Sequence, residues 1–268
     1  MNSEIAAVQH LRVMRGGSQA HLLRASDGAY YVTKFQNNPQ HIRVLANEMI
    51  ASRLGRCLKL PMPQIRVMDV SEWLVRNSCE MRIRLSQGSI PCSSGRQAAS
   101  FYSSGERDEI WFDYLPGNAL EKVENLGDFA RVMVLDKWAC NSDGRQAIFS
   151  RSSGRRPYRA AFIDQGYCFN AGEWSFPDSP LRGVYGNRCV YAGVSGWDDF
   201  EPALSCAEQA DAQQLWSCVE AVPEEWYEGD RTGLERLVEA LYRRRLLIRD
   251  LIASFRASAQ EPFPKWKP

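Results

Sequence analysis

Histidine is scarce in this chain. Three of the 268 residues are histidines, and all three lie within the first 41 positions. Catalytic triads and many metal centres use an imidazole as base or ligand, and most of the chain has no residue for that role. We therefore expect neither a histidine-based triad nor a multi-histidine metal site in its later part.

The cysteines show no spacing typical of a metal site. The eight of them include no CxxC pair, and none has a nearby histidine at zinc-ligand spacing. The simplest prediction is that the thiols are reduced and mostly buried.

Strong net charge and long apolar runs are also absent. The net charge of +1 gives no electrostatic reason to expect a nucleic acid or a membrane surface as partner. No segment approaches the length of a membrane span, and residues 1–18 contain charges and no continuous apolar stretch of a signal peptide. The sequence therefore predicts a cytoplasmic protein.

The first part of the chain has the pattern of a small sheet followed by a helix. Glycine-containing turns separate three predicted strands, at residues 8–14, 20–25 and 29–35. A helix is predicted from Asn38, which suits an N-cap, with Pro39 in the first turn. Further strands are predicted at residues 64–70, 73–76 and 109–114. Residues 86–105 are rich in Ser, Gly and Pro and predict a mobile loop.

The second half is predicted to be mainly helical. Apolar patterns indicate helices at residues 128–140, 201–221 and 232–256 and short strands at 147–150 and 158–163 around a turn at 152–154, with an irregular segment at 169–200. The break at Leu115-Pro116-Gly117-Asn118 is interpreted as a lobe boundary. The predicted fold is α+β, with a small antiparallel-sheet lobe at residues 1–115 and a mainly helical lobe at 116–268.

Four charged residues stand in an order typical of a phosphotransferase. Lys34 lies on a predicted strand and Glu48 in the helix after it, whereas Asp143 follows a helix and Asp164 ends a short apolar strand. In protein kinases a strand lysine held by a helix glutamate binds phosphates, and two later aspartates serve the hydroxyl and the metal. The order predicts a two-lobed, protein-kinase-like fold with Lys34, Glu48 and Asp143 as catalytic residues and Asp164 as a metal ligand. Solvated charges or turn residues would explain each of the four taken alone.

Two further segments suit a nucleotide. Gly16-Gly17-Ser18 allows close backbone approach to phosphates, although it also fits a plain hairpin turn. The strand at 110–114 would form a hinge in which Trp111, Phe112 and Tyr114 offer backbone groups to a purine edge. The sequence thus predicts ATP and Mg²⁺ as cofactors.

A cluster of arginines leaves a nucleic-acid interpretation open. Arg243, Arg244, Arg245 and Arg249 lie on the last predicted helix. Because the net charge is near zero, the solvated face of an amphipathic helix is the favoured interpretation.

The chain resembles the HipA-like kinase family, in particular its short forms that lack the N-terminal extension. The resemblance extends from about Gly16 to Arg256 and is carried by residues 15–20, Val32-Thr33-Lys34-Phe35, Asn47-Glu48, residues 136–143 and Ile163-Asp164-Gln165-Gly166. It implies a two-lobed kinase-like fold, ATP with Mg²⁺, and phosphorylation of serine or threonine on a protein substrate of unknown identity. By position, Lys34 would bind phosphates, Asp143 would be the catalytic aspartate and Asp164 a metal ligand.

The chain departs from the family pattern in its catalytic loop. Relatives usually read Asn-x-Asp-x-His-x-x-Asn, whereas Arg145 stands at the histidine position and Ile148 at the final asparagine position. Isoleucine cannot bind a metal, so the second ligand is missing or comes from Asn141 or Gln146. Gln165, where relatives often carry histidine, is a milder change. A pseudokinase that binds nucleotide or a protein partner without efficient phosphoryl transfer is therefore the alternative.

Overall fold

The computed structural model describes residues 5–103, 109–152 and 157–267. The strands within these ranges are β1 (Ile5–Val13), β2 (His21–Ala25), β3 (Tyr30–Lys34), β4 (Ile65–Val70), β5 (Arg82–Leu85), β6 (Gly88–Pro91), β7 (Gly95–Ser103), β8 (Glu109–Phe112), β9 (Gln146–Ser152) and β10 (Arg159–Ile163). The α-helices are α1 (Arg43–Cys57), α2 (Glu72–Asn77), α3 (Gly117–Leu120), α4 (Asp128–Trp138), α5 (Ala203–Glu208), α6 (Ala212–Val219), α7 (Arg231–Arg244) and α8 (Ile248–Arg256).

The N-terminal strands form a closed barrel in the order β1, β2, β3, β7, β4. Neighbouring strands are antiparallel except β4 and β1, which close the barrel in parallel through Ile5–Met68 and Ala6–Asp69. The prediction of a small antiparallel sheet is therefore corrected to a barrel with one parallel pair. A barrel leaves no open edge between these strands, which an isolated sheet would have.

The predicted mobile loop at residues 86–105 is wrong where the structure describes it. β7 pairs with β3 on one side and β4 on the other, and its Gln97, Ala98 and Ala99 are buried. Small residues of low strand propensity adopt the strand here because two neighbours supply its hydrogen bonds and helix α1 packs on it. Residues 104 and 105 lie outside the described ranges.

Two more local predictions are corrected. The strand expected at residues 73–76 is helix α2, whose N-cap Ser71 accepts a hydrogen bond from the Leu74 amide at 3.1 Å. Helix α1 begins at Arg43 and not after Asn38, because the Asn38 side chain forms a turn. It donates to the Phe35 carbonyl at 2.8 Å and accepts from the Gln40 amide at 3.0 Å.

Helix α1 lies between the barrel and the C-terminal helices. Eleven of its fifteen residues are buried, and it contacts β4 and β7 on one side and α4 and α6 on the other. A helix that is buried on nearly all sides cannot show the one-sided apolar stripe of a surface helix. The position of α1 also sets the positions of the polar residues Asn47 and Glu48, which are among its buried residues.

The C-terminal part combines a three-stranded sheet, in the order β10, β9, β8, with the remaining helices. Helix α4 lies in its core, where Phe129 and Trp138 are fully buried. The two long helices predicted at 201–221 and 232–256 are each broken in two, at Asp211, which caps α6, and at Arg245–Leu247. The irregular segment at 169–200 contains short 3₁₀ helices. The turn predicted at 152–154 lies mostly outside the described residues.

The cysteines are less buried than the sequence predicts. Four cysteines are buried, one is intermediate and three are exposed, so the expectation of mostly buried thiols holds for half of them.

Arg244 is buried, so it does not belong to a solvated face; its guanidinium pairs with Asp178 at 2.7 Å. Arg243 and Arg249 pair with Glu239 and Glu208. Among the described residues, none of the helices combines the length and apolar character that crossing a bilayer requires.

Candidate active site

Lys34 and two carboxylates from distant parts of the chain meet at the end of β3. The Lys34 ammonium forms ion pairs with Glu48 of α1 and with Asp164, whose Oδ1 lies 2.8 Å from Nζ. The lysine and glutamate side chains are 10% and 7% exposed, whereas that of Asp164 is 27% exposed. The cluster is thus open to a ligand on the Asp164 side.

The electrostatics of the cluster follow from one cation between two acids. Burial opposes ionisation of Lys34, but Glu48 and Asp164 outweigh it and raise the pKa of the ammonium above its ordinary value. Burial raises the pKa of Glu48, which shares the ammonium with Asp164. Burial also acts against the Asp164 carboxylate, but Lys34 and Arg145 outweigh it and lower the pKa of Asp164. Lys34 and Asp164 are therefore held in their charged forms.

Helix α1 also binds the segment that follows Asp164. Glu48 Oε1 accepts a hydrogen bond from the Gly166 amide at 3.0 Å. The neighbouring Asn47 donates to the carbonyls of Gly166, Cys168 and Ala171 at 2.8, 3.0 and 2.8 Å. Through these bonds the buried Asn47 amide gives each of the three carbonyl oxygens a hydrogen-bond partner. Asn47 and Glu48 together connect Lys34 to the backbone after Asp164.

Asp164 and Gly166 have unusual local requirements. Asp164 has a φ of 61°, in the left-handed region that is uncommon for residues other than glycine and in which asparagine and aspartate are enriched. A Cβ on Gly166 would lie 2.5 Å from Cγ1 of Val44 in α1. Glycine is therefore required at position 166 so that this backbone can approach α1 closely.

Asp143 lies on a loop beside this segment. Its side chain is exposed, and Oδ1 accepts a hydrogen bond from the Gly144 amide at 2.8 Å. The adjacent Ser142 amide donates to the Tyr167 carbonyl at 3.0 Å, which joins the loop to the backbone after Asp164. Among the described residues, the Lys34 cluster contains Glu48 and Asp164 but no direct contact from Asp143.

A buried arginine connects the Asp143 loop to both neighbours of Asp164. Arg145 is paired with Asp136 of α4, and both side chains are fully buried. Its Nη1 donates to the Ile163 carbonyl at 2.9 Å and to Gln165 Oε1 at 2.7 Å. Burial opposes the charge of Arg145, but Asp136 raises its pKa further above the ordinary range. The residue at the family's histidine position therefore supports the backbone around Asp164.

The two other predicted metal ligands are placed differently. Asn141 is buried, donates to Asp136 Oδ1 of α4 at 2.9 Å and accepts from the Asp143 amide of the loop at 3.2 Å, so both ends of its side-chain amide already have partners. Gln146 is exposed and lies opposite Ile163 in the pairing of β9 with β10. Ile148 is half-buried opposite Ala161 in the same pairing.

The described residues suit a metal ion that is bound partly by the protein and partly by the phosphates of a bound ligand. They contain no group of three or more His, Cys, Asp and Glu side chains that could hold a metal ion. Mg²⁺ often uses one or two carboxylates and completes its octahedron with phosphate oxygens and waters. Asp164, with its partly exposed carboxylate, suits that arrangement and would be the protein's main ligand.

The glycine turn lies at the Lys34 end of the barrel. His21 of β2 is opposite Thr33 of β3, so the turn before β2 is next to the end of β3. A Cβ on Gly17 would lie 3.3 Å from Nε2 of Gln40, which follows β3. Gln19 binds the Arg84 backbone in both directions, at 2.8 and 2.7 Å, and attaches the turn to β5. Gly16 and Gly17 are thereby placed on a supported turn, and Ser18 is buried beside them.

The predicted hinge residues take part in packing of the sheet. Trp111 contacts Tyr102 with a centroid distance of 5.8 Å, and Phe112 packs edge-on against Tyr158 at 5.5 Å. Tyr114 is 66% exposed. β8 pairs with β9 of the C-terminal sheet. The side chains of Trp111 and Phe112 are therefore used in packing beside this sheet.

Sequence reasoning missed the roles of Asn47 and Asp136. Each is a polar residue at a buried position of a helix, and both are almost completely inaccessible to solvent. Buried charges and amides persist when they are paired, so a polar residue beside apolar neighbours in a predicted helix was the available signal. That signal indicates a buried partner without identifying it.

Comparisons with known proteins bear on the family and the fold of this chain. The family of HipA-like kinases matches residues 6–152, which is more than half of the chain. No curated protein sequence matches this chain.

Similar solved structures include hydra Fam20 with sugar, with a TM-score of 0.56 and 11% identity over 97% of this chain and 89% of that one. The proinflammatory kinase CtkA of Helicobacter pylori has a TM-score of 0.54 and 14% identity over 91% and 98%. The Golgi casein kinase has a TM-score of 0.53 and 12% identity over 96% and 73%. At these identities the likeness concerns the fold, which is α+β and kinase-like. The match of the family over more than half of the chain shows that this protein belongs to the HipA-like kinases.

Proposed function

We propose that this protein is an ATP-dependent kinase that uses Mg²⁺-ATP to phosphorylate serine or threonine of a protein substrate. The observation that carries the proposal is the contact of Lys34 with both Glu48 and Asp164. A lysine held by a helix glutamate beside a metal-binding aspartate is the arrangement that phosphoryl transfer requires. The nucleotide would lie between an N-terminal lobe at residues 1–115 and a C-terminal lobe at 116–268, with β8 at the end of the first lobe joining the two through its pairing with β9.

The roles of the residues follow from their exposure and contacts. Lys34 would bind phosphate oxygens, with Glu48 holding the ammonium in place, and Asp164 would hold Mg²⁺. The backbone of Gly16, Gly17 and Ser18 would approach the phosphates, and the backbone of Trp111, Phe112 and Tyr114 would meet the base. A bound Mg²⁺ would supply charge neutralisation at the phosphates.

Asp143 would act on the incoming hydroxyl. Its carboxylate is exposed and accepts one hydrogen bond from the Gly144 amide, so oxygen lone pairs remain for a substrate hydroxyl. Orientation of that hydroxyl toward the phosphate, and acceptance of its proton, is the work of a kinase catalytic aspartate. The protein substrate and the cytoplasmic location remain predictions from the sequence.

A pseudokinase is the second candidate, and Ile148 favours it. This side chain stands where relatives place a metal-binding asparagine, and it is half-buried in β9. The described carboxylates around Asp164 do not replace it, since Glu48 is occupied by Lys34 and the Gly166 amide. Under this alternative, ATP binds through Lys34 and transfer to a hydroxyl is not efficient.

One experiment separates the two candidates. Purified full-length protein is titrated with ATP by calorimetry, with and without Mg²⁺, and transfer of labelled γ-phosphate is measured in parallel. For the kinase we expect Lys34→Met to abolish ATP binding, and Asp143→Asn to retain binding but lose transfer by at least about 100-fold. Asp69→Asn, an exposed carboxylate on β4, is the matched control.

Each outcome has a defined meaning. Binding without transfer in the wild-type protein, with any divalent ion, supports the pseudokinase. Absence of ATP binding under all conditions rejects both candidates.

A further inference from the structure

Three cysteines from separate segments line one cavity beside helix α1. The cavity has a volume of about 270 Å³ and is bounded by Cys57 at the end of α1, Cys206 in α5 and Cys218 in α6. Cys57 is exposed, Cys206 is intermediate and Cys218 is buried. A solvent-accessible thiol therefore lies beside a protected one.

Both thiols line this cavity, and the helices that carry them contact each other. A side-chain hydrogen bond with Cys218, together with the positive charge of Arg56, lowers the pKa of Cys57 to about 6 against the opposing effect of burial. The same hydrogen bond and burial raise the pKa of Cys218. Arg53, one turn before Cys57, donates to the Cys218 carbonyl at 3.1 Å and keeps the two helices together. Glu220 is a further charge near Arg53.

We propose that Cys57 and Cys218 form a redox modification site, in which Cys57 reacts with hydroperoxides and Cys218 is the resolving thiol. The exposed thiol has access to the oxidant, and the buried one lines the same cavity. Redox-sensitive cysteines have this combination of access, thiolate character and an adjacent resolving thiol. The site is separate from the Lys34 cluster and does not depend on phosphoryl transfer.

The chemistry balances with a hydroperoxide as the oxidant. The Cys57 thiolate attacks the outer peroxide oxygen, the O–O bond breaks, and Cys57 becomes a sulfenic acid while the peroxide leaves as an alkoxide or hydroxide that takes up a proton. The Cys218 sulfur, as its thiol proton is lost, then attacks the Cys57 sulfur, and the sulfenic oxygen leaves as water. The two thiols together lose two protons and two electrons and form one disulfide.

The disulfide would join the end of α1 to α6. These helices already contact each other, and Glu48 lies in the same helix as Cys57. Because the cross-link closes a long loop of the unfolded chain, the oxidised protein should unfold at a higher temperature than the reduced protein.

The first test needs only the wild-type protein. Alkylation by iodoacetamide is followed at each cysteine by mass spectrometry between pH 5 and 9, with the exposed Cys79 as internal reference. A thiol whose pKa is lowered is ionised to a larger fraction at pH 7 than an ordinary thiol, and its lower nucleophilicity offsets part of this. We expect Cys57 to react about tenfold faster than Cys79 at pH 7. Equal rates would overturn the proposal.

The second test identifies the resolving thiol. After brief treatment with hydrogen peroxide, we expect an intact mass lower by two hydrogens, a tryptic peptide linking Cys57 to Cys218, and a raised unfolding temperature. Cys57→Ser and Cys218→Ser should each abolish the internal link, whereas Cys206→Ser, in the same cavity, should leave it intact. A link that forms through Cys206, or no internal link in the wild-type protein, rejects the assignment.

Discussion

Arg145 and Asp136 form an ion pair in which neither side chain is accessible to solvent. The pair connects the Asp143 loop to helix α4, and Arg145 also binds the Ile163 carbonyl and the Gln165 side chain on either side of Asp164. The net contribution of a buried ion pair to stability is small. Removal of one partner is nevertheless costly, because the other partner is left as an uncompensated buried charge. The geometry of Asp164 therefore depends on a residue that differs from the family's usual histidine.

Removal of one partner of this pair should strongly destabilise the protein. We expect Arg145→Met to lower the free energy of unfolding by about 3–5 kcal/mol, since Asp136 would be left charged and buried. Denaturant unfolding followed by circular dichroism measures the change. The matched control is Arg131→Met, whose pair with Asp128 has side chains that are 40% and 13% exposed and should contribute less than about 1 kcal/mol. Equal losses for the two variants would show that the Arg145 pair has no special role.

A methyl group at position 166 should disturb the site directly. In Gly166→Ala the new Cβ would lie 2.5 Å from Val44 Cγ1 and 3.4 Å from Glu48 Oε1, so α1 and the backbone after Asp164 must separate. Such overpacking costs about 1–3 kcal/mol, and we expect ATP affinity to fall as well. Gly193→Ala is the control, because this glycine is exposed and an added methyl group would meet no atom within 4 Å. Unchanged stability and affinity in Gly166→Ala would argue against the close approach of α1.

Acidification should remove the stabilisation that Asp164 provides. Its pKa is lowered in the folded state, so its contribution is complete above the ordinary carboxyl pKa of about 3.9 and is lost as the pH falls through the lower, folded-state pKa. The difference in unfolding free energy between the wild-type protein and Asp164→Asn should therefore be constant above about pH 5 and shrink toward pH 3. The measurement is urea unfolding across this range, with Asp69→Asn as the reference for general charge effects. A difference that grows on acidification contradicts the sign of the shift.

A metal ligand introduced at position 148 should strengthen the metal-dependent step. If Ile148 limits metal binding, Ile148→Asn should raise Mg²⁺-dependent ATP affinity or phosphate transfer about tenfold, which corresponds to about 1.4 kcal/mol. Binding without Mg²⁺ should change little. Ile148→Val retains the shape at this position without a ligand and serves as the control. The same Mg²⁺ dependence in both variants would show that Ile148 does not limit metal binding.

Local patterns predicted much of the fold. The three first strands, the strand at Ile65–Val70 and the β9–β10 pair follow alternating side chains and turn residues, and these were predicted close to their observed bounds. β7 and α2 were missed because their sequences favour other structures, and their neighbours decide what they form. Barrel closure was missed for the same reason, since the parallel pairing of β1 with β4 has no local signal.

The candidate site, like the fold, could be predicted from the sequence only in part. The order of Lys34, Glu48, Asp143 and Asp164, with glycines before and after, could be recognised from residue types and local context. The partners of Arg145, the three carbonyls bound by Asn47 and the cavity shared by Cys57 and Cys218 could not. Each joins residues of different elements, and sequence spacing carries no information about such contacts.

By itself, the sequence determined the chemical groups, their order along the chain and the periodicity of most elements, because turns and side-chain alternation act over a few residues. Tertiary structure alone decided that Lys34 and Asp164, 130 positions apart, share one ion pair at 2.8 Å. That contact depends on α1 packing between the barrel and the C-terminal helices. Burial of apolar surface drives that packing, and the gain depends on how whole faces fit together and not on any single residue.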